Sequence, residues 1–118
     1  KLAIVTDGTA SVQAAKITAL GLAPYVDAIV LCWEIKAPKP DPGGFRLAAE
    51  QMQVAIEDCM IIGDDPLHDM AAARALSLPA IRVGTGRFAE LESQPNDGHT
   101  ALCSHFSKIE TVLERLSL

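Results

Sequence analysis

Short aliphatic runs alternate with helix-spaced stretches along this chain, and the runs end in polar turns; that alternation limits the fold more than any other feature. Leu2 to Val5 stops at Thr6-Asp7-Gly8, and Ala10 to Leu20 then repeats apolar side chains at helical spacing through Val12, Ala15 and Ala19. Gly21 stands where a glycine ends a helix. Ala28 to Cys32 reads as a second strand. The stretch Ala37-Pro38-Lys39-Pro40-Asp41-Pro42 cannot be helical, because a residue before proline is pushed toward extended backbone. A helix is expected from Pro42 to about Gln53, with Asp41 as its cap, although Gly43-Gly44 weakens its first turn. Cys59 to Ile62 reads as a third strand, ending in Gly63-Asp64-Asp65-Pro66; a helix from Pro66 to about Leu76 follows, then a strand at Ala80 to Val83. Strands alternating with helices in this way predict an α/β fold with a parallel sheet.

Beyond Val83 the pattern degrades. Gly84-Thr85-Gly86 and Pro95-Asn96-Asp97-Gly98 are turn chemistry, Ala101 to Cys103 is a short strand candidate, and Ser107 to Leu116 carries Ile109, Val112, Leu113 and Leu116 on one helical face. With 118 residues, 49% hydrophobic and 4% aromatic, one small domain with an aliphatic core is expected. A net charge of −5 argues against nucleic acid as a partner, since neutralising a phosphate backbone needs a basic surface. The most apolar stretch, Ala19 to Trp33, is interrupted by Pro24 and Asp27, so no membrane span is expected. Cys32, Cys59 and Cys103 lie too far apart for a C-x-x-C motif and read as small buried hydrophobes of a reducing cytoplasm. Tyr25 and Trp33 read as packing residues, and His68 as a surface residue of the first helical turn.

Chemistry gathers at the strand ends, which share one edge in an open parallel sheet and form the usual ligand crevice. Thr6-Asp7-Gly8 offers a hydroxyl and backbone N–H groups suited to an anion. Lys39, held between Pro38 and Pro40, offers a placed positive charge for a phosphoryl group. Asp64, Asp65 and Asp69 concentrate negative charge after the third strand, and hard oxygen ligands of this kind suit magnesium. Helix capping explains one or two of those carboxylates, with Asp65 as N-cap and Asp69 in the first turn, but hardly all three.

Taken in order, these elements resemble the haloacid dehalogenase-like hydrolases, in particular their phosphoglycolate-phosphatase-like branch. Ile4-Val5-Thr6-Asp7-Gly8 is similar to the family's second motif, usually Thr-Asn-Gly; Lys39-Pro40-Asp41-Pro42 with Phe45 is similar to the third; and Ile61-Ile62-Gly63-Asp64-Asp65-Pro66-Leu67-His68-Asp69, followed by Ala71-Ala72-Ala73-Arg74-Ala75, is similar to the fourth. Gly21-Leu22 and Asp27-Ala28-Ile29 fit between the second and third, so the resemblance runs from Leu2 to about Val83. It implies a three-layer Rossmann-like core and a magnesium-dependent phosphatase acting on a small phosphorylated metabolite through an aspartyl-phosphate. Thr6 and Lys39 are the implied catalytic residues. Thr6, Asp7, Gly8 and Lys39 would bind the phosphoryl group, and Asp64, Asp65 and Asp69 would serve the metal.

The family's first motif, Asp-x-Asp, supplies nucleophile and acid/base and is not found in these residues, nor is the cap that follows it; Asp7 also replaces the usual Asn. The chain opens at Lys1 inside a strand-like run, so residues 1–118 are expected to be one partial core domain, inactive alone. The missing strand is expected from an N-terminal fragment or a second copy, or to be made good by direct pairing of its two neighbours. Alternatives are a haloacid dehalogenase, against which the acidic Asp64-Asp65 pair argues; a receiver-like phosphoacceptor, in which the acidic pair would precede the Thr and the Lys come last; and a non-catalytic binding or assembly module.

Overall fold

The computed structural model describes residues 1–86 and 100–116. Its elements run β1 (Ala3–Thr6), α1 (Ala10–Ala19), β2 (Ala28–Leu31), α2 (Gly43–Met52), β3 (Ile61–Gly63), α3 (Asp69–Ala75), β4 (Ala80–Val83), β5 (Thr100–Cys103) and α4 (Ile109–Arg115). Every strand pairing among the described residues is parallel, as α/β alternation requires. The chain divides into two compact units, Lys1–Cys59 and Met60–Leu118. The turn at Pro95-Asn96-Asp97-Gly98 lies outside the described residues.

In the first unit β1 pairs with β2 in the register Ala3 to Ala28 through Thr6 to Leu31. Helix α2 covers this ladder, and Val30, Cys32 and Ala48 form its buried centre with Ala3, Val5 and Leu47 packed around them. The glycines that weaken the first turn of α2 have a packing reason. A side chain on Gly44 would put its Cβ 2.7 Å from Cys32 Sγ and 3.2 Å from Val5 Cγ1, so the helix lies on the sheet only because that position has none. Gly44→Ala is expected to lower stability by about 1–2 kcal/mol, overpacking outweighing the gain in helix propensity. A urea midpoint equal to or above the parent's would contradict this packing account. Asp41 caps α2 as expected, its Oδ1 accepting the Gly43 N–H at 2.8 Å, although the regular helix starts one residue later than the sequence predicts.

The second unit is a three-stranded sheet in the order β3-β4-β5. The central strand β4 is buried along its whole length, Arg82 included. Met70, Ala72 and Ala73 bury the inner face of α3, and the small residues of Ala71–Ala75 let that helix approach the strands closely.

Three helices end in the same way. Leu22, Val54 and Leu78 N–H groups reach back to Ile17, Ala49 and Ala73 carbonyls, with Gly21, Gln53 and Ser77 in left-handed backbone at φ 62°, 56° and 55°. These are Schellman closures; Gly21 announces its own, whereas Gln53 and Ser77 give no such signal in sequence. Two expectations need correction. Tyr25 and Trp33 do not pack but stand 78% and 55% exposed. Cys59 lies in no strand: it follows a single 3₁₀ turn (Ile56–Asp58) and is half-buried, while Cys32 and Cys103 are buried as expected. No helix among the described residues is long and apolar enough to cross a membrane.

Candidate functional site

Within the first unit, the expected phosphate-binding residues gather at the C-terminal end of β1. Gly8 turns the chain at φ 108°, a conformation that glycine adopts readily, and α1 begins two residues later at Ala10. The Thr9 side chain makes no cap, so backbone N–H groups of the first turn keep their capacity to meet an anion. Lys39, distant in sequence, is fixed to this turn at both its ends. Its backbone N–H donates to Asp7 Oδ1 at 3.1 Å, and its ammonium donates to the Val5 carbonyl at 3.4 Å. Asp7 therefore anchors the lysine loop through its side-chain oxygen, a bond that an Asn amide oxygen at this position could also accept. The Lys39–Pro40 peptide bond is cis.

Thr6 carries a partner that the sequence did not disclose. Gln13, one turn into α1, donates from Nε2 to Thr6 Oγ1 at 2.6 Å, and Thr6 Oγ1 in turn donates to the Asp7 carbonyl at 3.2 Å. Nothing in the spacing Thr6-x₆-Gln13 marks this contact; only the turn at Gly8 folds the helix back over the strand end.

In the second unit the three carboxylates separate into different tasks. Asp65 is buried and caps the turn that leads into α3: Oδ1 accepts the N–H groups of Leu67 at 2.9 Å and His68 at 3.1 Å, while Oδ2 lies 2.7 Å from His68 Nδ1. The regular helix starts only at Asp69, not at Pro66. Asp69 is buried too, with Oδ2 accepting the Asp65 N–H at 3.3 Å, and a Cβ on Gly63 would fall on its carboxylate. Gly63 is thus a position where the strand end must stay bare for Asp69 to fit. Asp64 is the partly exposed member, its carboxylate lying over the turn after β4, 2.7 Å from where a Cβ on Gly86 would stand. Gly86, at φ 83°, is a second contributor that the degraded pattern after Val83 concealed.

No three His, Cys, Asp or Glu side chains among the described residues converge on one point. That is compatible with magnesium, which retains waters and is commonly held by one or two carboxylates together with substrate phosphate. Asp64 suits such a role best, since the oxygens of Asp65 are occupied by the cap. Cys59 is disfavoured as a nucleophile: partial burial first, and then the charges of Asp58 and Glu57, hold its thiol above the ordinary range, leaving little thiolate at neutral pH.

A profile of the haloacid dehalogenase-like hydrolases matches residues 1–83. The chain belongs to that family. The match ends where the motif resemblance ends, at Val83. Among related hydrolases, a phosphoserine phosphatase of Thermus thermophilus is 33% identical over 96 residues, which cover 80% of this chain and 39% of that protein. A phosphatase structure from Thermococcus onnurineus superposes with a TM-score of 0.79 at 24% identity, over 96% of this chain and 50% of that one, and shares the fold. A 2-haloacid dehalogenase structure from Pseudomonas syringae gives a TM-score of 0.70 at 26% identity, over 85% and 42% of the two chains. This haloacid dehalogenase-like chain therefore spans half or less of the length of these relatives.

Proposed function

We propose that this chain is the part of a phosphomonoester phosphatase that binds the phosphoryl group and supplies a carboxylate to magnesium, the substrate being a small phosphorylated metabolite. The observation that carries the reading is the double attachment of Lys39 to the end of β1, which sets its ammonium beside the strand residue preceding Thr6. A positive charge and a hydroxyl donor held in fixed positions at one strand end are what a phosphoryl transition state needs, because charge spreads over its equatorial oxygens while the protein positions and stabilises. Asp64 would hold the magnesium ion, with Asp69 and Asp65 fixing the turn that presents it. When bound, the ion supplies charge neutralisation at the phosphoryl oxygens.

In this reading the nucleophilic aspartate comes from a segment outside the 118 residues, consistent with the chain spanning 39% of its phosphoserine phosphatase relative. The attacking carboxylate forms an aspartyl-phosphate, the substrate alcohol leaves with a proton from a second carboxyl group, and water then releases phosphate. Thr6, the amides at Asp7 and Gly8, and Lys39 hold the phosphoryl oxygens throughout.

The division of labour is testable on the isolated polypeptide. The 118 residues alone should release no phosphate from p-nitrophenyl phosphate above background, whereas the longest gene product containing them should. Robust magnesium-dependent hydrolysis by the 118 residues, abolished in Asp7→Ala or Asp65→Ala, would place the nucleophile within this chain instead.

A further inference from the structure

The Gln13 side chain is the feature at the end of β1 that the phosphatase reading has not used. It lies four residues into the chain after Thr9, the cap position of α1, so it is not the third helical residue that would close a capping box with Thr9; that place belongs to Val12. Its amide goes instead to Thr6 Oγ1 at 2.6 Å, the shortest hydrogen bond at this strand end. Gly8 lies beside it, a Cβ there meeting Cγ and Cδ of Gln13 at 3.4 Å, and the φ of 108° favours glycine at that position.

A threonine hydroxyl has one proton and two acceptor lone pairs, and alone it can meet a phosphoryl oxygen in any rotamer. An N–H fixed on one lone pair removes that freedom. The O–H proton must then point away from the Gln13 amide, and the donor is polarised by the bond its oxygen accepts, as in any hydrogen-bonded chain. Its present acceptor, the Asp7 carbonyl at 3.2 Å, is distant for an O–H bond, so exchanging it for a charged phosphoryl oxygen loses little. We propose that Gln13 is a positioning residue that commits the Thr6 hydroxyl to donate to the phosphoryl group. The proposal rests on the phosphatase reading and adds to it a residue outside the motifs.

The test is a double-mutant cycle in the longest gene product that contains this chain, with p-nitrophenyl phosphate as substrate, inorganic phosphate as inhibitor, and thermal unfolding as the control. Gln13→Met, similar in size and unable to donate, should lower kcat and weaken phosphate inhibition, each by about five- to tenfold, with the unfolding midpoint little changed. Gln13→Glu should do worse than Gln13→Met, because a carboxylate accepts the hydroxyl proton and turns it away from the phosphoryl group. In a Thr6→Val background neither change should matter further. Unchanged kcat and phosphate affinity in Gln13→Met, or an undiminished Gln13→Met effect in Thr6→Val, would overturn the proposal while leaving the phosphatase reading intact. A parent protein that neither hydrolyses the ester nor binds phosphate would remove the reading itself, and the inference with it.

Discussion

Asp64→Asn in the full gene product should raise the magnesium concentration needed for half-maximal activity at least about tenfold and lower activity at saturating magnesium about 10²–10³-fold. The substitution keeps an oxygen in place but removes its charge, and hard cations respond to that loss more than to geometry. Asp64 is the member of its cluster to change because the others have structural work. Removing the Asp65 carboxylate would leave the N–H groups of Leu67 and His68 without their acceptor, and Asp69 lies buried against Gly63. Asp65→Ala should consequently act through stability, by about 1 kcal/mol for a lost cap, more than through magnesium. Equal magnesium midpoints for Asp64→Asn and the parent would refute the assignment of the metal carboxylate.

Lys39→Met should reduce kcat by about 10²–10³-fold with a smaller effect on stability, since the stem is conserved and only the ammonium is lost. The backbone anchor to Asp7 Oδ1 survives the change, so the loop stays attached and the measurement isolates the charge. Lys39→Arg should recover little. A planar guanidinium cannot occupy the position of a compact ammonium 3.4 Å from the Val5 carbonyl without displacing the loop. Steady-state kinetics on both variants decide the matter, and a Lys39→Met enzyme within a few-fold of the parent would exclude the lysine from the chemistry.

The order of strands and helices was legible because burial writes itself into aliphatic runs, and Gly21 and Asp41 marked a helix stop and a helix start by chemistry that works locally. The closures at Gln53 and Ser77 were not legible, since there the backbone hydrogen bonds of the Schellman motif outweigh the left-handed cost of a side chain at φ 56° and 55°. Gly44 read as a helix weakness because its reason, the Sγ of Cys32, comes from another element. Arg82 is buried because β4 is the central strand of its sheet, a place that the run Ala80 to Val83 does not itself announce. Motif spacing put Thr6, Lys39 and Asp64 forward as candidates, but it left open what Asp65 and Asp69 each do: the cap became legible only when Asp65 was seen accepting two backbone N–H groups. Gln13 and Gly86 act on those residues from across a turn, and no local pattern encodes that.

Family membership leaves two chemistries open, because both a phosphatase and a 2-haloacid dehalogenase are among the relatives. A paired assay on the full gene product separates them directly: phosphate released from p-nitrophenyl phosphate, and halide released from 2-chloropropionate, each with magnesium and with a chelator. The account predicts phosphate release that requires magnesium and no halide release under either condition. Chelator-insensitive halide release without phosphatase activity would contradict it.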